Sequence, residues 1–496
     1  MADWDHLPPE IQLMILETLA QDSRSDITGS RKVCFASYAT VCKEWQAVFE
    51  RRNFQRLTLD LECLKDFKKI ARRQKKFLRH IWLRIRLEPY DCPDCMKPEG
   101  EQRLIHNNAI IAKSISQLFI ILNTWEQNDD HWNDKGVTLE ISAHSISDSQ
   151  HAFKDFYFES DVYSELVEEH NFHDPSHGWI NGRRTSTPGI KSIFRILGKR
   201  ETEPTFNVPD VNAVRSLLIR RQTRRQFGAV AFFQILNSLP RLEHINYEPW
   251  RDLSRIFQRS RDKGYIFTFE KFWPKTLKTL TLFEDFNGDF NQHFRKKLVF
   301  FGEHVRTPSS SMSKVLARLS HDQGLEQLSA SFLVEAEAFF HACQSDWIWT
   351  NLESLALTSR LLDNIENSVK VQKINNMLHT AGVAARNMPK LEVMEIWTGG
   401  RQHATVFRYH AMKGSVALTW HSVWDLEFES RVIKIWENVA CESAYGHHEL
   451  RVEKHLIAPE RIQSHADAID NLVLRKQVLH PVSLNQIRIE AKKRDL

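Results

Sequence analysis

The stretch "LKTLTL", Leu277 to Leu282, decides how most of the chain is read. Apolar residues stand at its first, fourth and sixth positions, so an extended backbone places Leu280 and Leu282 on one side with Thr281 opposite. The phrase recurs as "FQRLTL" from Phe54, "LRHIWL" from Leu78, "VRSLLI" from Val214, "LEHINY" from Leu242, "LEQLSA" from Leu325, "LESLAL" from Leu352 and "LEVMEI" from Leu391, with a partial copy "VTLEI" from Val137. Turn-like lead-ins precede several copies: "SLPR" before Leu242, "WPKT" before Leu277, "WTN" before Leu352 and "MPK" before Leu391. Helical patterns such as "AVAFFQILNSL" from Ala229 and "NNMLHTAGVAARNM" from Asn375 lie between them. Strand then helix, repeated, predicts an α/β chain with parallel strands in one curved sheet and helices on its outer side. The fourth residue of each phrase, or Leu139 in the partial copy, marks the buried row: Leu57, Ile81, Leu139, Leu217, Ile245, Leu280, Leu328, Leu355 and Met394.

The phrase resembles the strand segment of leucine-rich repeats. A few spacings fit a simple repeat of about 20 to 29 residues, and the others need longer helices or insertions. Residues 57–400 are therefore expected to form an irregular leucine-rich-repeat-like solenoid. An insertion around residues 145–210 contains the polar "EEHNFHDPSHGWINGRRTSTPG". Beyond Gly399 the phrase stops, and "VALTWHSVWDLEFES" and "RVIKIWENVA" predict a C-terminal α/β cap over residues 401–496 that closes the last repeat. Arg215, His244, Lys278, Ser354 and Val393, between the buried positions, should be less uniformly buried, and the concave side carrying some of them is the candidate target surface.

Residues 1–56 are of another kind. In "LPPEIQLMILETLA", Leu7 to Ala20, Pro8 and Pro9 suit a first helical turn and Glu10 complements the positive end of the helix dipole. Ile11, Ile15 and Leu19 then share a stripe widened by Leu16. After the polar segment Gln21 to Ser30, a second helical stretch carries Phe35, Tyr38, Cys42, Trp45 and Phe49 at spacings of three and four. Leu7, Pro8, Glu10, Ile11, Ile15, Leu16, Leu19, Val41, Cys42, Lys43 and Trp45 together resemble the F-box, with a longer loop between its halves.

That resemblance implies a non-catalytic substrate-recognition subunit of an SCF-type ubiquitin ligase, docked on the ligase adaptor and through it on a cullin and a RING subunit, with an unknown protein target held by the body. Leu7, Pro8, Ile11, Ile15 and Leu16 would line the adaptor contact, and Val41 and Trp45 would contribute to it or hold the helices together. Pro9, Glu10, Leu19 and Cys42 complete the implied set. Leu7, Pro8, Ile11 and Ile15 are expected to be exposed in the chain alone, as an undocked apolar patch must be. "LLIRRQ", "YEPWRD", "TLFEDFN", "LALTSRLL" and "HPVSLNQIRIE" further resemble filamentous-fungal F-box proteins with a long C-terminal domain of unknown function.

Composition narrows the alternatives, which are a non-degradative F-box interaction protein and a repeat scaffold for nucleic acid or a small ligand. A net charge of +4 from 67 basic and 63 acidic residues argues against a dedicated nucleic-acid binder. Seven scattered cysteines form no disulfide framework and suit a reducing cytoplasmic or nuclear setting. The start "MADWDHLPPE" has no apolar signal region, and the apolar run "ISQLFIIL" is short of the roughly 20 residues of a membrane span. No Gly-rich phosphate loop, nucleophile elbow or HExxH stands in the sequence, so no catalytic set is assigned. "CPDC", Cys92 to Cys95, has zinc-like spacing, but no second ligand pair lies near it along the chain, and it reads as a polar turn. His170, His173 and His177 lack a fourth ligand in the same way, so no metal or cofactor is expected. The basic runs Lys68 to His80 and "IRRQTRRQ", Ile219 to Gln226, read as solvated helix faces gathering Lys68, Arg72, Lys75 and Lys76, or Arg220, Arg221, Arg224 and Arg225.

Overall fold

The marker residues meet in one row. The computed structural model describes residues 4–22, 35–125, 136–156, 172–198, 204–252, 254–297, 306–363, 368–442 and 449–493. In it Leu57 pairs with Ile81, Ile81 with Leu139 and Leu139 with Leu217, and the row continues through Ile245, Leu280, Leu328, Leu355 and Met394. The strands that carry them are β1 (Arg56–Leu59), β2 (His80–Leu87) and β3 (Val137–Ser145), then, past a small hairpin of β4 (Trp179–Ile180) and β5 (Arg183–Arg184), β6 (Val214–Ile219), β7 (His244–Tyr247), β8 (Thr279–Phe283), β9 (Gln327–Ser331), β10 (Ser354–Thr358) and β11 (Val393–Gly400). Every neighbouring pair along this row is parallel and sequential. The register is fixed because a one-residue slip would turn the leucines of a strand out of the core.

After β11 the direction changes. β12 (His403–Met412) and β13 (Ser415–Ser422) run antiparallel, joined by a tight turn in which Gly414 takes a φ of 93°. β14 (Leu450–Leu456) lies parallel to β13 and completes a 12-stranded, mostly parallel sheet in a mixed α/β chain.

The two faces of the sheet are covered differently. Against one face pack the helices Leu64–Gln74, Glu101–Asn123, Ala229–Asn237, Arg255–Lys271, Ser310–Asp322, Ala336–Ala342, Ser368–Ala385 and Ser430–Glu442, burying the marker row from Ile81 to Met394 in one large core, with Leu57 half-buried at its edge. Helix spacing can be close: a Cβ placed on Gly264 would stand 2.3 Å from that of Ala229. Glu101–Asn123 is long and apolar enough to cross a membrane by length and composition alone, but Ile111, Ile115, Leu118, Phe119 and Leu122 are buried in this core.

The opposite face carries smaller or polar side chains, including Glu140, Ser142, Thr281, Ser329, Ala356 and Glu395, and these are buried too. Over β8 to β12 their cover comes from the C-terminal residues beyond the sheet, while Glu140 and Ser142 on β3 meet Arg220 and Trp82. The strands β12, β13 and β14 extend the sheet, but residues 457–493 turn back across β12, β11, β9 and β8 through the short helices His465–Asp470 and Arg475–Val478 and the helix Pro481–Lys492. Phe283, Ala356, Trp397, Ala404 and Val406 pack there against Ile462, Ile469, Val478 and Leu484 in a second core. This strap also occupies part of the expected target surface: Ser354 donates to Gln477 Oε1 (2.7 Å), and Val393 is buried, whereas His244 and Lys278 remain exposed.

Candidate functional site

The N-terminal residues form a helical unit with its own small core. Leu16 and Phe49 are buried together, surrounded by Trp4, Leu19, Tyr38, Trp45 and Val48. The helix Pro9–Asp22 supplies Leu16 and Leu19, and the helix Lys43–Asn53 supplies Trp45, Val48 and Phe49. Trp45 stands 5.7 Å from Trp4, 5.9 Å from Tyr38 and 5.6 Å from Phe49 between ring centroids, so it holds the helices together. Leu16, expected at the adaptor contact, is only 2% exposed and belongs to this interior, because Phe49 covers it.

The opposite stripe has no cover among the described residues. Ile11 (40%), Leu13 (47%), Met14 (62%), Ile15 (37%) and Val41 (59%) are exposed, as are Pro8, Pro9 and Glu10. Leu7, Leu19 and Cys42 are half-buried, Cys42 standing just before the helix Lys43–Asn53. The turn into the first helix is held by Gln12, whose side-chain amide donates to the carbonyl of Trp4 (2.8 Å).

A second concentration of chemistry lies where the strands β6, β7 and β8 end. "IRRQTRRQ" is neither helical nor solvated: Arg220, Arg221, Arg224 and Arg225 form a buried loop, which corrects the reading of a solvated basic face. Arg221 donates to Asp285 and makes two hydrogen bonds to Glu490, at 2.7 and 2.8 Å. Arg220 donates to Glu140 (2.6 Å), and Arg225 pairs with Asp148 (3.0 Å) and Glu99 (3.2 Å). Trp250 Nε1 donates to the carbonyl of Arg221 (2.6 Å), and its ring lies 4.6 Å from the Arg221 guanidinium. Glu248 accepts from the backbone N–H groups of Arg221 (3.1 Å) and His480 (2.9 Å) and from the Ser483 hydroxyl.

Alongside, Arg251 and Arg306 hold Glu284 at 3.0 and 2.9 Å, and Arg306 also pairs with Asp262 (2.6 Å). Burial opposes ionisation of Asp285, but Arg221 and the His465 ring, 3.1 Å away, outweigh it and hold the carboxyl down at about 2. Burial likewise opposes the ionised form of Glu284, and Arg306 and Arg251 together keep its pKa below the ordinary glutamate value. Satisfied in this way the carboxylates stay charged in the interior, where an unpaired charge would be prohibitive.

The knot is edged by three clefts. One of about 400 Å³ is lined by Arg221, Phe286, Arg401, His465 and Glu490, one of about 300 Å³ by Arg251, Arg306, Glu335 and Arg360, and one of about 600 Å³ by Arg255, Arg259, Asp262 and Arg306. They lie beside the C-terminal ends of parallel strands, the usual edge for ligand sites in open α/β sheets.

Two segments set aside in the sequence as a turn and a loop also come together. Cys92 and Cys95 meet His177 and, in addition, His151, which no local spacing singled out. His173 turns away to Asn181 (3.3 Å), and His170 lies outside the described residues.

Comparison with known families places one match on the chain: residues 272–480 match a family described as "Family of unknown function (DUF6546)". The match begins just before β8 and ends at His480 in the strap, so it holds the β8–β14 part of the sheet together with most of its second cover. No curated protein and no solved structure matches the chain.

Proposed function

We propose that the protein is a substrate-recognition subunit of an SCF-type ubiquitin ligase, with the N-terminal unit as an F-box and the body as an irregular leucine-rich-repeat-like receptor for a protein target. The observation that carries the reading is the N-terminal unit itself. Its interior is closed by Leu16 and Phe49, apart from the core of the sheet, while Pro8, Ile11, Met14, Ile15 and Val41 stay exposed on the outside. A helix that buries one apolar side at home and leaves another uncovered suits a helix-in-groove contact. The repeating strand–helix body and the sequential parallel row of markers support the repeat-like reading of the receptor part.

In this reading the chain does no chemistry. It raises the effective concentration of target near the ubiquitin-loaded enzyme held by the other subunits. The polar clefts beside the arginine knot are the target-binding candidates, since the strap covers much of the flat face. The test is a binding titration of the full chain with purified adaptor, comparing wild type with Pro8→Ala combined with Ile11→Ala. Loss of central apolar anchors costs about 2 kcal/mol or more in binding, so affinity should fall at least about tenfold with an unchanged melting temperature. Equal affinity in the two proteins would refute the docking surface.

A further inference from the structure

We propose that Cys92, Cys95, His151 and His177 bind one zinc ion, in a structural site that fastens the insertion to the sheet. The four ligand atoms lie within 4.8 Å of one another, although their residues come from three separate segments. Cys92 and Cys95 begin and end a single helical turn after β2, with Pro93 in its second position. His151 follows β3, and His177 stands in the turn that leads into the hairpin β4–β5.

The geometry within the cluster suits a cation better than hydrogen bonds alone. Asp174 Oδ2 lies 2.8 Å from His177 Nδ1, so the proton belongs on Nδ1 and Nε2 presents a bare lone pair. Both sulfurs converge on that nitrogen, Cys92 at 3.4 Å and Cys95 at 3.5 Å. One lone pair accommodates one S–H donor, not two. With Zn–S near 2.3 Å and Zn–N near 2.0–2.1 Å, a tetrahedron has S···N edges of about 3.6 Å, close to the 3.4 and 3.5 Å that separate the two sulfurs from His177. Among the described residues His151 Nε2 is sheltered from solvent with no hydrogen-bond partner, and the residue is held at a φ of 53°, in the left-handed region that non-glycine residues seldom enter.

The surroundings are those of a supported metal site. Asp174 is itself held by Lys154 (2.9 Å) and by the Ser176 hydroxyl (2.6 Å), so the carboxylate that orients His177 is fixed in turn. Two thiolates and two imidazoles in a compact tetrahedral arrangement select zinc over harder divalent ions, and four protein ligands leave no open position for catalysis. Bound metal would tie the β2 and β3 loops to the hairpin.

The experiment measures metal in the full chain, purified in reducing buffer without chelators. One zinc per chain by mass spectrometry is expected, and cobalt substitution should give the visible bands of a tetrahedral thiolate–imidazole site. Cys92→Ser combined with Cys95→Ser should abolish both. Asp174→Asn should fold and still bind, but with zinc affinity about 10–100-fold weaker in competition with a chromophoric chelator. A folded wild-type chain that contains no zinc and takes up none on titration under reducing conditions would overturn the proposal, as would full zinc content in the double cysteine variant.

Discussion

Arg221 shows how far a residue's meaning can depend on partners that the local sequence does not contain. Four arginines in eight residues suggest a solvated basic face, yet Glu490, which pairs with Arg221, lies 269 positions away. A local window has no access to such a carboxylate, so charge density was legible and burial was not. Removing one partner of a buried ion pair leaves the other uncompensated and costs about 3–5 kcal/mol. Arg221→Ala should therefore lower the denaturant midpoint by that equivalent, whereas the same change at exposed Arg259 should move stability by less than about 0.5 kcal/mol. Acid should act through two histidines first. Burial, reinforced by Arg84 and Arg224, holds His144 at about 3, and burial with Arg220 holds His480 at about 4, against an ordinary value of 6.5. Between those values the unfolded chain binds the protons and the folded chain does not, so this stabilisation is complete above about pH 6.5 and is lost as the pH falls. His480 Nδ1 accepts from the N–H of Val482, which requires the neutral ring. The melting temperature should thus be level from pH 7 to 8 and decline below 6.5, and His480→Asn, which keeps an acceptor, should reduce that decline. Asp285, held at about 2, contributes down to much lower pH.

The strands were the most legible elements, because a strand with a buried face must repeat every second residue and the phrase repeats with it. Leu280, Leu328 and Leu355 were placed correctly on adjacent parallel strands from spacing alone. The strap was not legible as a cover. Nothing local in its sequence, "HPVSLNQIRIE" among it, says that it folds back over Thr281 and Ser354. The zinc-like cluster was half legible: Cys92 and Cys95 announced themselves, but His151 and His177 reach them only through the fold. Where the strap meets the sheet, Gly399 lets the helix His465–Asp470 approach closely, and a Cβ there would lie 2.4 Å from the Cβ of Ala468. Gly399→Ala should cost about 1–3 kcal/mol by overpacking and loosen the strap selectively. Limited proteolysis should then cut within residues 457–493 before it cuts the strands, and an unchanged cleavage pattern would contradict that role for the strap.

Across the whole molecule, labour is divided between two units, each with its own interior. The sheet, its helices and the strap make a body held by apolar burial and by the arginine knot. The N-terminal unit is closed by a few aromatic rings and keeps its apolar stripe outward. That stripe was legible in Ile11 and Ile15 because helical periodicity fixes a face. The burial of Leu16 was not legible, because the same periodicity cannot say which edge of a broad stripe the Phe49 ring will cover. Hydrogen–deuterium exchange on the full chain, alone and with purified adaptor in excess, tests this division most directly. New protection is expected within residues 4–22 and 35–53, with the strands β6 to β11 and the strap exchanging as before. Protection that fell instead on the body, or none at any adaptor concentration, would contradict that division.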